Sequence, residues 1–283
     1  MKKILVITNR YKDSEMFITE KVCTHLKDGG AEVIQTTVDR KMNTLNDALL
    51  GDVDCAVILG GDGTIMQFAN QLSLADIPIL GINMGHVGYL AEVDSNHVEE
   101  AIGRLLSGDY KVQKRMMITG SLKKKGKTVF TDTAVNDVVI TRNGRLQVIH
   151  FNIYVNGNLL KNYTADGVIL STPTGSTAYN LSAGGPIVDP GAEILIVTPI
   201  SPHTLMNRSL VLNATDNVEI EVLPTHEEEE YEEMMEVDFD GKEYGKLFPG
   251  DRVGVTGADC HVKMICMNEV SFMETLHRKM KES

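Results

Sequence analysis

The chain has 283 residues, enough for one large or two ordinary domains, and 42% of them are hydrophobic, which excludes wholesale disorder. A formal net charge of −12 argues against a nucleic-acid partner, whose phosphates require an excess of lysine and arginine. No run approaches the roughly 18 apolar residues of a membrane helix, and Cys23, Cys55, Cys260 and Cys266 form no CxxC pair or zinc-type cluster, so they read as reduced thiols.

The opening "MKKILVITNRYKD" has two lysines and a short apolar run, but lacks a small-residue cleavage site; it reads as a first strand, 3–9, of a protein expected to stay in the cytoplasm. Residues 14–30 have helical apolar spacing and end in a glycine pair that stops the helix. A strand is predicted at 31–38, a short helix at 43–51, a strand at 55–61, a helix at 64–75 and a strand at 77–83. A helix at 95–109 is expected to use Ser95 as its N-cap. This alternation predicts a mainly parallel sheet covered by helices.

Beyond residue 110 the pattern turns to short alternating runs separated by turn signals. "VNGN" at 155–158 predicts a hairpin with positive φ at its two central residues, and "KKKGK" at 123–127 an exposed hairpin tip. Further strands are expected at 217–224, within 235–257 and at 261–266, with no helix between 111 and about 265. The acidic run at 226–236 reads as a solvated loop, since it lacks the ligand spacing and glycine of a calcium loop. The tail, 271–283, is expected to form a helix with Phe272, Leu276 and Met280 on one face, returning to the first domain. The fold class is therefore an N-terminal α/β domain, 1–110 with 267–283, and a mostly-β domain, 111–266.

Two stretches carry chemistry. In "VILGGDGTIMQ", 57–67, a glycine turn joins a strand to a helix without the lysine of a Walker A loop or the spacing of a dinucleotide fingerprint. Gly60, Gly61 and Gly63 allow phosphates to approach the backbone at the carboxyl end of a strand, with Thr64 opening the helix. An ionised Asp62 there would repel phosphate unless it held a metal or accepted a proton; its bland alternative is a helix cap. In an acidic chain, such a phosphate site must rely on local amides, a helix N-terminus, a few cations or a divalent ion. The second stretch, "ADGVILSTPTGSTAYNLSAGGPIVDP" at 165–190, presents hydroxyls and backbone groups around one aromatic, Tyr179.

"GGDGT", "NDVVI" at 136–140, "DGVILSTPTGSTAYNLSAGGPI" and "VTPISPH" at 197–203, in that order, closely resemble the NAD kinases over essentially the whole chain. "GGDGT" alone is shared with diacylglycerol and sphingosine kinases and phosphofructokinases; "TPTGSTAY" is far more specific. The resemblance implies phosphorylation of NAD at the 2′-hydroxyl of its adenosine ribose by ATP or polyphosphate, with the dinucleotide between two domains. It implies that Asp62 orients or deprotonates that hydroxyl, and that a divalent ion, magnesium, arrives with the donor and offsets the carboxylate's charge. It also implies that Asn136 and Asp137 bind ribose hydroxyls, that Asp166 lies near the nicotinamide end, and that Thr174, Thr177, Ala178, Tyr179 and Ser182 contact adenine and ribose, with Ser201 a further contact. Many relatives carry Glu where Asp137 stands, and His86 and Tyr89 replace leucine-like and phenylalanine residues. A homodimer or homotetramer is expected by the same resemblance. Two rivals stay open: a lipid kinase, which would need an apolar acceptor cleft or a basic membrane-binding face, and a non-catalytic NAD(P)-binding sensor.

Overall fold

The structure is a computed structural model, described for residues 2–38, 44–85, 88–91, 93–143, 148–204, 208–224, 235–267 and 272–282. Two compact units divide it: Met1–Arg115 with Cys260–Ser283, and Met116–Asp259. None of the described helices is long and apolar enough to cross a membrane. His86 and most of the acidic run at 226–236 lie outside the described residues.

The first unit begins with β1 (Lys3–Asn9), α1 (Phe17–Asp28), β2 (Glu32–Val38), β3 (Cys55–Gly60), α2 (Asp62–Leu74), β4 (Ile79–Asn83), β5 (Val93–Asp94) and α3 (Val98–Ser107). β2, β1, β3 and β4 lie side by side in parallel, with β5 parallel to β4. Leu5, Val6 and Ile7 of β1 and Ala56, Val57 and Ile58 of β3 are all buried, as strands covered on both faces must be. On one face Val22, Cys23 and Leu26 of α1 pack with Ile102 and Leu105 of α3.

The chain continues through β6 (Lys111–Lys124), β7 (Lys127–Ala134), β8 (Asp137–Arg142), β9 (Ile149–Val155), β10 (Asn158–Ala165), β11 (Gly167–Ser171), α4 (Tyr179–Ser182), β12 (Ile194–Ile200), β13 (Leu210–Asn213), β14 (Val218–Leu223), β15 (Met235–Phe239), β16 (Lys242–Leu247), β17 (Arg252–Cys266) and α5 (Phe272–Glu282). The second unit is a sandwich. One sheet runs β10–β9–β14–β17, with β6 alongside β17 and β7 beside β6; the other runs β13–β12–β11–β8–β15–β16. Alternate residues of both, such as Phe151 and Ile153, Val138 and Ile140, and Val218 and Ile220, fill one core. Asn156 and Gly157 have φ 51° and 80°, and Lys125 and Gly126 have 49° and 75°, so both expected hairpin turns have left-handed central residues.

Several boundaries differ from the sequence reading. The helix expected at 64 starts at Asp62, because Gly61 takes the extended N-cap position and an acidic first residue suits the helix dipole. Ser95 is not a cap: Asp94 accepts from the Asn96 N–H at 2.8 Å, a 3₁₀ turn spans Ser95–His97, and α3 begins only at Val98. The short helix near residue 47 is a single 3₁₀ turn, Asp47–Leu49. β17 does not break at "TGADC"; Gly257 serves there as a close approach, its N–H donating to the Ala214 carbonyl at 2.8 Å. Two helical turns, Gly175–Thr177 and α4, interrupt the segment predicted to lack helix. On α5 the half-buried residues are Phe272, Thr275, Leu276 and Lys279, positions i, i+3, i+4 and i+7 of one face, which leaves Met280 exposed.

Candidate active site

In the first unit Gly60, Gly61, Asp62, Gly63 and Thr64 join the carboxyl end of β3 to the first turn of α2. A Cβ at Gly60 would strike the Thr64 side chain, whereas at Gly61 and Gly63 it would meet nothing within 4 Å, so the backbone there is open to a ligand. The amides of Asp62 and Gly63 head the helix, where no intrahelical acceptor is available, and they suit an anion. Asn9 Nδ2 donates to Thr64 Oγ1 at 2.9 Å, tying the end of β1 to this turn. The exposed cations Arg10 and Lys12 follow at the same end of the sheet.

The Asp62 carboxylate does not cap its own helix. Oδ2 accepts from the Tyr89 N–H at 2.6 Å, and Oδ1 accepts from those of Leu90 and Ala91 at 3.1 and 3.2 Å. A carboxylate offers about four lone-pair positions, so one remains for a further donor. Gly88 makes the clasp sterically possible, because a Cβ there would overlap the carboxylate. Tyr89 is braced in turn by α5, with the Phe272 ring 6.2 Å from its own and the Lys279 ammonium 4.3 Å from its centroid.

In the second unit, Asn136 and Asp137 lead into β8 and are held from both sides. Thr172 donates its N–H to the Asn136 carbonyl at 2.8 Å and its hydroxyl to the Val135 carbonyl at 2.6 Å, and Ser171 Oγ reaches the Asn136 carbonyl at 3.2 Å. Opposite, Asp240 accepts from the N–H groups of Val135, Asn136 and Asp137 at 2.8, 2.7 and 3.1 Å. Gly175 lies so close to the Asn136 carbonyl that any Cβ would collide with it. Burial pushes the Asp137 carboxyl up to about 7, with the Asp240 and Asp238 charges adding to the effect. Burial also raises Asp240, but its three N–H donors oppose that rise; of the two, Asp240 is the one built to stay charged.

The loop after β11 is knotted by Asn180, which is fully buried. Its Nδ2 donates to the carbonyls of Ser176 and Pro186 at 3.1 and 3.0 Å, and its Oδ1 accepts from Thr198 Oγ1 at 2.7 Å. Around that knot Thr174, Thr177, Ala178, Tyr179 and Ser182 follow one another, with Tyr179 and Ser182 exposed. Thr174 Oγ1 is buried with no hydrogen-bond partner among the described residues.

Asp166 and Ser201 stand apart from this cluster. The Asp166 N–H donates to the Ile200 carbonyl, so the two neighbour each other, but Gly167 pairs with Thr141 while Ser171 pairs with Asp137. Four rungs, about 13 Å, therefore separate them from Asn136–Asp137. Asp166 also pairs with Arg142 at 3.0 Å, and Ser201 holds a left-handed φ of 45°. Sequence reasoning missed Asp240, Asn180, Asn9 and the 89–91 amides; only Asp240 left a trace, the "DG" of a hairpin turn. Among the described residues no three His, Cys, Asp or Glu side chains gather as a metal cage.

The family description "ATP-NAD kinase N-terminal domain" matches residues 45–110 and "ATP-NAD kinase C-terminal domain" matches 135–267. Among curated relatives, the NAD kinase of Lachnospira eligens is 39% identical, covering 99% of this chain and all of its own. That of Lachnoclostridium phytofermentans is 41% identical, covering 99% of each. Among solved structures, yeast NADH kinase complexed with NADH superposes with a TM-score of 0.88 at 23% identity, over 99% of this chain and 88% of that one. An NAD kinase from Archaeoglobus fulgidus in complex with ATP gives 0.77 at 23%, over 99% of each; at that identity both speak for the fold. Matched by two domain models and by full-length relatives, the chain belongs to the NAD kinase family of phosphotransferases.

Proposed function

We propose that the protein transfers the γ-phosphate of ATP to the 2′-hydroxyl of the adenosine ribose of NAD, giving NADP. The observation that carries this reading is the clasped carboxylate of Asp62 at the head of α2, beside glycines that leave the backbone open. The names of the relatives, and the ATP and NADH held by the two solved neighbours, support the choice of substrates.

The 2′-hydroxyl donates into the one position left on the Asp62 carboxylate. Its oxygen attacks the γ-phosphorus in line, forming the new O–P bond as its proton passes to Asp62. The bond to the β,γ-bridging oxygen breaks and ADP departs with the electron pair. The amides of Asp62 and Gly63 and the cations Arg10 and Lys12 hold donor phosphates. A magnesium ion carried by the donor would offset the charge of Asp62 against the phosphates. A positioned base supplies about 10²–10⁴ in rate, and alignment with electrostatic stabilisation much of the remainder. In the second unit Asn136 and Asp137 take ribose hydroxyls, Thr174 offers its unpartnered hydroxyl, and Tyr179 offers an aromatic face to the base.

The test is NADP formation from NAD with magnesium and either ATP or polyphosphate, for wild type and Asp62→Asn, with NAD binding followed by calorimetry. Turnover lost in the variant while NAD still binds is the expected result. A wild-type protein that binds NAD but turns over with neither donor is a sensor, and the proposal falls.

A further inference from the structure

We propose that Asp240 is a positioning residue for the dinucleotide: its carboxylate fixes the backbone that aims Asn136 and Asp137 at ribose. This rests on the function proposed above. The carboxylate takes three consecutive amides: Oδ2 accepts from Val135 at 2.8 Å, and Oδ1 accepts from Asn136 at 2.7 Å and Asp137 at 3.1 Å. The Asp240 N–H returns a bond to the Asp137 carbonyl at 3.0 Å, closing a ring between two segments more than a hundred residues apart in sequence. From the other side Thr172 and Ser171 hold the carbonyls of Val135 and Asn136. With both donors and acceptors of 135–137 engaged, the side chains of Asn136 and Asp137 are left without backbone play, the condition for reading a sugar.

Hairpin formation does not explain the carboxylate. Asp240 and Gly241 have φ 49° and 74°, the two left-handed residues of a turn for which asparagine–glycine is at least as good as aspartate–glycine. A turn needs no acidic side chain, and this one sits half-buried beside Asp137 and Asp238, with Lys242 as a nearby cation. Placing a third carboxylate among these is electrostatically adverse. Gripping the 135–137 amides is what the charge accomplishes.

Asp240→Asn separates the two roles. Asparagine keeps the left-handed turn and one acceptor oxygen for Asn136 and Asp137, but turns an NH₂ toward the Val135 N–H and removes the charge. The expected result is a KM for NAD raised about tenfold or more, with the KM for ATP little changed and the melting temperature lowered by the loss of the Val135 hydrogen bond. The acid limb of kcat/KM for NAD also moves to lower pH, because one of the charges raising Asp137 has gone. A control, Gly241→Ala, strains the turn without touching the carboxylate and is expected to lower the melting temperature while leaving the KM for NAD alone. An unchanged KM for NAD in Asp240→Asn, or an equal rise in both variants, overturns the proposal. If wild type fails to make NADP, the proposed activity fails separately and calorimetric NAD affinity decides. Weaker binding in Asp240→Asn keeps the positioning role; equal binding, or no binding by either protein, ends it.

Discussion

Gly88→Ala is a substitution whose effect on stability has a sign that the structure determines. Gly88 does not have a left-handed φ, so alanine can adopt its backbone, and at such a position Gly→Ala ordinarily stabilises by about 0.4–1 kcal/mol. Here the added Cβ overlaps Oδ1, Cγ and Oδ2 of Asp62, all well inside contact distance. The carboxylate must leave at least the Leu90 and Ala91 amides, both of which belong to buried residues. Two hydrogen bonds to a charge, at about 1.5–3 kcal/mol each, give a loss of about 3–6 kcal/mol, or roughly 6–15 °C in melting temperature for a chain of this size. Because the same movement takes the base away from the hydroxyl, kcat is expected to fall about 10²-fold or more, with NAD affinity retained. Thermal unfolding and steady-state kinetics of Gly88→Ala, Asp62→Ala and the double variant measure both effects. In the Asp62→Ala background the overlap is gone, so adding Gly88→Ala should be neutral or slightly stabilising. A single variant that is more stable than wild type and fully active would refute the clasp.

Two further outcomes follow from the second unit. Ordinary Asp titrates near 3.8 and Asp137 near 7, so the folded state binds the extra proton between these values. Stability should accordingly fall as pH rises from about 4 to 7, by as much as about 4 kcal/mol, whereas kcat/KM for NAD should rise over pH 6–8 as the carboxylate ionises and can accept ribose hydroxyls. Asp137→Asn is expected to flatten both dependences, as read by denaturant unfolding and kinetics against pH; an unaltered acid limb would exclude Asp137 from ribose binding. Thr174→Val removes a hydroxyl that has no partner among the described residues, so unfolding should show no loss of stability, or a gain of up to about 1 kcal/mol. The KM for NAD should nevertheless rise several-fold, and an unchanged KM would mean that the hydroxyl serves no ligand.

What the sequence discloses depends on how local the determining physics is. The apolar runs of β1 and β3 announce strands buried on both faces, and "VNGN" announces its turn because positive φ at two adjacent positions selects asparagine and glycine. The glycine turn could be placed at the carboxyl end of a strand by the same local reasoning. The state of Asp62 could not: its partners are backbone amides at 89–91, and an amide has no side-chain identity to advertise. "TGADC" looks like a break because glycine and aspartate disfavour strands, yet β17 runs through it unbroken from Arg252 to Cys266. Asn180 reads as one more polar loop residue, and only its complete burial reveals it as the knot of that loop. Asp166 and Ser201 enter through the resemblance alone, and the four rungs that separate them from Asn136 depend on strand pairing that no local pattern discloses.

The two units use one device twice. In each, an aspartate at the start of a helix or the tip of a hairpin accepts three consecutive backbone N–H groups from a distant segment: 89–91 for Asp62 and 135–137 for Asp240. Three amides nearly saturate a carboxylate, so each clasp fixes a loop and leaves about one acceptor position over. The chemistry demanded of the two differs. At the head of α2, with Gly61 and Gly63 open, the spare position is the one the proposed mechanism gives to the attacking hydroxyl. In the hairpin, the clasped carboxylate lies behind the residues that would touch ligand, and its charge adds to the burial that raises Asp137. Each carboxylate is thus solvated by backbone N–H groups of its own unit. The amides they engage are dipoles that bulk water would otherwise have to solvate.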